Sequence, residues 1–346
     1  MRVGIDGKPL LSARTGVARY LEGLLGGCAS LGTPGVELET VSPAGARGTL
    51  RWVMWDLQRA TGRGYDAFHF PFYYPPLAPR CPATVTVHDV LPLEHPEWFP
   101  HGKANLLRLL LPAGARRAAA VFVGSPSVAE AVSERCRVPM ARIHVTGYGV
   151  DHTRFAPPPE AAVAAVLARL GVTRPYLLQV GALEPRRGTD LALAGCALLR
   201  TRHPGLELVL VGEVRADVPA LRQPPPWVRR LGRVADDALP ALYAAAAVVL
   251  APSRGEGFDF PVLEALACGG AVVASDIAVH REHFAPAVAL FVSGDAEALA
   301  AALARVLEDA EACRALRAAG PALAARFSWA EAARRHLEVW RTLERR

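Results

Sequence analysis

Lysine is nearly absent from this chain. It stands only at positions 8 and 103 of 346 residues, so arginine supplies almost all of the 39 cationic side chains. With 33 acidic residues the net charge is +6. A high-GC genome accounts for much of the arginine and alanine richness, so this balance is no argument for nucleic acid. It fits anionic ligands or an anionic membrane surface. Cysteine is sparse and scattered, at 28, 81, 136, 196, 268 and 313. No pair has C-x-x-C spacing, which excludes a zinc knuckle or a dithiol redox motif and predicts reduced, mostly buried thiols. The longest apolar run, Leu239–Pro252, is too short to span a bilayer. The opening Met-Arg-Val-Gly-Ile-Asp-Gly reads as a strand and a turn rather than a signal peptide. The expectation is a soluble, cytoplasmic protein. P-loop and H-E-x-x-H motifs are absent, as are internal repeats and a low-complexity tail.

What is present is alternation. Strand-like runs occur at Arg2–Ile5, Ala67–Phe70, Thr84–Val87, Val121–Val123 and Ile143–Val145. A second series follows at Tyr176–Val180, Leu206–Val211, Val228–Leu231, Val248–Leu250 and Ala271–Ala274. Helical runs lie between most of them, the pattern of parallel sheets covered by helices. Two series predict an α/β protein of two doubly wound, Rossmann-like domains, which suits this length. Pro157-Pro158-Pro159 favours an extended connector near Phe155–Glu160. The expected domains are therefore 1–156 and 157–328, followed by a helix over 329–346 with Ser328 as its N-cap.

The most informative segment is Ser253–Gly270, Ser-Arg-Gly-Glu-Gly-Phe-Asp-Phe-Pro-Val-Leu-Glu-Ala-Leu-Ala-Cys-Gly-Gly. Glu256 lies in a Gly-rich loop, and Glu264 lies one turn into an expected helix. Pro261 suits the helix start, because its missing N–H would be unpaired there anyway. Such a loop aims backbone N–H groups at an anion, aided by the positive end of the helix. The residues resemble the E-x7-E signature of retaining glycosyltransferases with the GT-B fold, and most of all glycosyltransferase family 4. One motif residue departs: Asp259 stands where glycine is usual. The resemblance runs along nearly the whole chain. It implies two Rossmann-like domains facing a central cleft, with the C-terminal helix crossing back to the first.

Five further segments fit that resemblance. Thr15-Gly16 opens a helix after a strand and loop, without the G-x-G-x-x-G spacing; it resembles the family's N-terminal glycine loop. That places Gly16 by the donor pyrophosphate and Tyr20 and Asp89 by the acceptor. His88 ends a strand in a His-Asp pair, and in relatives this histidine assists catalysis beside the transferred sugar. Gly181 to Gly188 follows the first strand of the second domain. Arg187 stands where relatives carry a pyrophosphate-binding lysine, and Ala182 stands where many carry arginine. Arginine can neutralise phosphate bidentately, and Arg186 or Arg254 could supply a further cation. Gly212 and Arg233 lie in strand-end turns that resemble the walls of the nucleobase pocket. Ser275-Asp276-Ile277 and His280-Arg281-Glu282 match a downstream pattern, to which no chemistry is assigned.

The implied reaction moves a mannose- or rhamnose-like hexose from a GDP-, UDP- or dTDP-sugar to a hydroxyl of a glycan, glycolipid or small molecule, with retention. Catalytic roles fall to His88, Glu256 and Arg187. Donor contacts are expected from Gly16, Gly181, Arg186, Arg187, Gly212, Arg233, Glu256, Gly257, Phe258, Asp259 and Glu264, with Glu264 on the ribose. No metal or cofactor is expected, and the absence of D-x-D argues against the metal-dependent GT-A fold. The aromatic-rich stretch Arg51–Tyr74 reads as core packing that could also supply acceptor contacts. The helix near His101–Ala119 reads as a core helix with a basic edge, which allows peripheral contact with the inner membrane face. No nucleic-acid partner is expected. The competing reading is a non-catalytic nucleotide-sugar-binding or scaffold protein on a decayed GT-B fold.

Overall fold

The computed structural model describes all residues except 12–14, 44–50, 73–74, 77, 216–217 and 344–346, and only the backbone of 54, 101 and 103. Tyr73 and Tyr74 of the aromatic stretch therefore lie outside the described residues. The chain divides into two units, Met1–Gly149 with Phe327–Arg346, and Val150–Arg326. The division falls at Gly149, ahead of the Pro157-Pro158-Pro159 run.

The first unit holds a six-stranded sheet: β1 (Arg2–Asp6), β2 (Glu37–Val41), β3 (Ala67–Phe70), β4 (Ala83–Val87), β5 (Ala120–Val123) and β6 (Ile143–Val145). The second holds β7 (Tyr176–Val180), β8 (Glu207–Val211), β9 (Val228–Gly232), β10 (Val248–Ala251), β11 (Val272–Ser275) and β12 (Val288–Phe291). All pairings are parallel. The orders are β2-β1-β3-β4-β5-β6 and β12-β11-β10-β7-β8-β9. The central strands are buried on both faces, as β4 and β10 are along their whole length, which is why they read as continuous apolar runs. Both sheets reverse direction of winding, the first between β1 and β3, the second between β7 and β10. Ligand sites of open α/β sheets form outside the carboxyl ends of strands at such switch points.

The helix Trp329–Leu343 belongs to the first unit. Its first turn lies on the helix Gly16–Leu31, where a Cβ on Gly23 would come within 2.0 Å of the Trp329 ring and one on Gly27 within 2.2 Å of the Trp329 carbonyl. Glycine is the residue that lets the two backbones approach this closely. Farther along, His336 and Trp340 are fully buried and reach the sheet, where the Trp340 indole donates to Thr84 at 3.2 Å.

Candidate functional site

The loops after β7 and β10 meet at the switch point of the second sheet. The Arg254 amide donates to the Arg186 carbonyl at 2.9 Å, which ties the loops together. The Gln179 side chain donates to the Arg187 carbonyl at 2.9 Å and fixes the short 3-10 turn Pro185–Arg187. Gly212, ending β8, packs on the Gly181 carbonyl, where a Cβ would intrude to 1.8 Å. These glycines therefore serve backbone packing at the strand ends.

The tied loops bring five charged side chains together. Arg186 contacts Glu184 at 2.9 Å and Glu256 at 3.2 Å. Arg187 Nη1 lies 2.9 Å from Glu256 Oε1, outside hydrogen-bonding angle, and donates to Asp259 Oδ1 at 3.0 Å. Glu256 is 5% exposed and Asp259 2% exposed. Isolated carboxylates would not stay ionised at such burial. Burial alone would raise the Asp259 carboxyl, but Arg187 and His280 more than offset it and hold it below the usual range. A pocket with room for one water is lined by Gln179, Arg187, Asp259 and Pro261 among others. Gln179 Oε1 and Arg187 Nε are buried without hydrogen-bond partners.

Two of the expected cations are engaged elsewhere. Arg254 forms a bidentate pair with Asp190, at 2.8 Å on each nitrogen, and also donates to the Pro185 carbonyl. Arg233 pairs with Glu213 at 2.8 Å, both well exposed. Glu264 is one turn into the helix Phe260–Ala267, as the spacing predicts, but it is 1% exposed and accepts from the Tyr243 hydroxyl at 3.1 Å. Phe258 is buried and packs against Phe260, His283 and Phe284, so its side chain is core.

In the first unit, His88 follows β4. Its Nε2 lies 2.9 Å from the Pro71 carbonyl and therefore carries the hydrogen. Its Nδ1 then accepts from the Tyr148 hydroxyl at 2.8 Å. Burial pushes this imidazole down to about 4 against the opposing carbonyl contact, so it is neutral at pH 7. Asp89 caps its own turn, accepting from the Leu91 amide at 3.1 Å. Gly16 is the first residue of the helix Gly16–Leu31, whose N-cap Thr15 accepts from the Ala18 amide at 3.2 Å. Tyr20 corrects the sequence reading. It is fully buried, and its hydroxyl bonds Thr86 at 2.7 Å, His336 at 3.0 Å and His69 at 3.3 Å. It is a core residue and not an acceptor contact.

Sequence reasoning missed three partners. His280 was placed in a matching pattern but given no role. It is fully buried, with Nε2 3.1 Å from Asp259 and Nδ1 2.8 Å from the Ser275 carbonyl. Glu184 holds Arg186, and a carboxylate two residues from an arginine in the same loop was the available signal. Asp6 ends β1, accepts from the Trp52 indole at 2.9 Å, and is raised by burial despite that bond.

Comparison with known proteins agrees with this architecture. The family model described as Glycosyltransferase Family 4 matches residues 16–154, and that described as Glycosyl transferases group 1 matches residues 174–309. The O-antigen chain mannosyltransferase B of Escherichia coli is 29% identical over 288 residues, covering 80% of this chain and 74% of its own length. A D-inositol 3-phosphate glycosyltransferase of Segniliparus rotundus is 34% identical over 200 residues, but the match spans only 54% of this chain and 44% of that protein. Among solved structures, Anabaena HepE in complex with UDP and glucose superposes with a TM-score of 0.78 at 19% identity, covering 99% of this chain and 100% of its own, which establishes the fold. With one family model on each Rossmann-like unit, the chain belongs to the group 1, family 4 glycosyltransferases of GT-B fold.

Proposed function

We propose that the protein transfers a mannose- or rhamnose-like hexose from a nucleotide diphosphate sugar to an acceptor hydroxyl on a glycan or glycolipid, with retention and without a metal. The observation that carries this reading is the pairing of Arg186 and Arg187 with Glu256 at the switch point of the second sheet. The bond from the anomeric carbon to the diphosphate breaks, and a bond to the acceptor oxygen forms. The acceptor proton passes to the departing phosphate oxygen, which accounts for the lack of an obvious dedicated base. Arg186 and Arg187 would stabilise the growing diphosphate charge, helped by the N–H groups of Gly257, Phe258 and Asp259 at the start of their helix. Glu256 would hold sugar hydroxyls. His88, being neutral, would act by hydrogen bonding, exchanging the Pro71 carbonyl for a sugar oxygen. Glu264 would meet the ribose only if its Tyr243 bond were shared.

The mannosyltransferase among the relatives supports the sugar class, and the UDP held by HepE supports a nucleotide donor. Among the described residues no helix is long and apolar enough to cross a membrane. The helix His101–Arg117 exposes Leu106 and Leu109, at 47% and 72%, next to Arg108. That face suits peripheral contact with an anionic cytoplasmic leaflet, where a lipid-linked acceptor would lie. The test is a thermal-shift and product-release screen with GDP-, UDP-, dTDP- and ADP-sugars, with chelator and with added Mg²⁺. Stabilisation by one nucleotide, with release from its sugar form in chelator, supports the reading. Stabilisation without turnover, even with acceptor extracts, would favour the non-catalytic alternative, and a requirement for Mg²⁺ would overturn the metal-free mechanism.

A further inference from the structure

We propose that Asp259, locked by His280, is the positioning residue that aims the Arg187 guanidinium at the departing diphosphate. The proposal rests on the nucleotide-sugar reading above. Asp259 has φ +77° and ψ +73°, a left-handed conformation that a residue with a side chain adopts at a cost. Glycine would fit this backbone without strain. The side chain therefore has work that offsets its conformational cost, and its contacts show what that work is.

Its Oδ1 accepts from Arg187 Nη1 at 3.0 Å, and its Oδ2 faces His280 Nε2 at 3.1 Å. The His280 ring is fixed from behind, because Nδ1 must donate to the Ser275 carbonyl at 2.8 Å. Held at both ring nitrogens, His280 cannot turn away without orphaning a buried nitrogen. Glu256 Oε1 reaches the same Arg187 Nη1 at 2.9 Å. Both carboxylates anchor one nitrogen, while Nε and Nη2 have no hydrogen-bond partner among the described residues. Nε is itself buried, so Nη2 is the donor that this edge offers to an oxygen of the anion. Arginine at 187 and aspartate at 259, two of the three positions at which the sequence departs from the family pattern, are in direct contact and form one device.

The test is a double-mutant cycle on the full chain with Asp259→Gly, Arg187→Lys and the double variant, plus Asp259→Asn. Asp259→Gly removes backbone strain, so it should fold. On the active nucleotide sugar it should lower kcat about tenfold, while nucleoside diphosphate affinity stays equal or tightens because a carboxylate beside the anion site is gone. Asp259→Asn, which keeps an acceptor for Arg187, should lose less kcat than Asp259→Gly, and an equal loss in the two variants overturns the proposal. In the Arg187→Lys background Asp259→Gly should have no further effect. The proposal is overturned if the two losses multiply. It is equally overturned if Asp259→Gly lowers kcat, nucleotide affinity and the unfolding midpoint together, as a merely structural residue would. If the parent protein turns over no donor, the functional reading falls on its own. The same cycle read in unfolding midpoints then still decides whether residues 187 and 259 are coupled, and additive midpoints overturn the proposal.

Discussion

The two units bury polar groups at the carboxyl ends of their sheets in opposite ways. In the first unit Tyr20, His69, Thr86 and His336 are joined by hydrogen bonds, His88 bonds Tyr148 beside them, and burial pushes all three imidazoles down. In the second, Glu184, Arg186, Arg187, Glu256 and Asp259 are joined by ion pairs, His280 contacts Asp259, and these neighbours hold the Asp259 carboxyl low against its burial. Desolvation decides protonation where no opposite charge is near, and pairing decides it where one is. The neutral cluster rigidifies a core. The ionised cluster keeps charge available for an anion that the reaction releases.

The sharpest way to break the comparison is to remove one charge from the ionised cluster. Glu256→Gln leaves Arg186 and Arg187 short of a countercharge and removes the proposed sugar contact. Turnover should fall by roughly 10²–10³-fold while nucleotide binding remains measurable by calorimetry. Full activity in this variant would remove Glu256 from the mechanism.

The neutral cluster should instead be broken by acid. His336 is pushed down to about 4 by burial, below the ordinary value of 6.5. Between these values the unfolded chain binds a proton that the native ring refuses, so stability falls as pH drops from about 6.5 to about 4. The loss approaches about 3 kcal/mol for this one fully buried ring. Asp259 behaves oppositely in its window. Its carboxyl is held below 3.8, so its contribution persists until pH falls below that value. Five of the six tryptophans, at 52, 55, 98, 329 and 340, lie in the first unit. Denaturant melts followed by tryptophan fluorescence should therefore lose midpoint steadily from pH 7 to pH 4.5, and His336→Gln should flatten that slope.

Two smaller perturbations test how the neutral cluster is assembled. Gly27→Val would drive a side chain into the Trp329 backbone, and the first unit should lose about 2 kcal/mol in the same fluorescence melts. Tyr148→Phe removes the hydroxyl that donates to His88 Nδ1 and should cost about 1 kcal/mol. A Tyr148→Phe protein as stable as the parent would show that the bond adds nothing to the fold.

Most of the fold was legible because central parallel strands are apolar on both faces. The strands left unread are both edges. Glu37–Val41 carries two glutamates and is exposed along much of its length, and Val288–Phe291 is four residues long after a Pro-containing turn. The loop that carries Glu256 and the one that carries the arginine pair were legible from residue type and spacing. Its wiring was not. His280 meets Asp259 across 21 residues of chain, and Arg254 meets Asp190 across 64. Tyr20 misled because its burial is completed by His336, 316 residues away. Local pattern cannot register a partner supplied by so distant a segment.

The return of Trp329–Leu343 to the first unit has a consequence for synthesis. The largest fully buried side chain of that unit, Trp340, and the histidine that receives the Tyr20 hydroxyl are translated only after all of Val150–Arg326. The ribosome therefore delivers a first unit that lacks part of its own interior, followed by a second unit that is contiguous and able to close by itself. Completion of the first unit therefore waits on Trp329–Leu343, which supplies the Trp340 partner of Thr84 and the His336 partner of Tyr20.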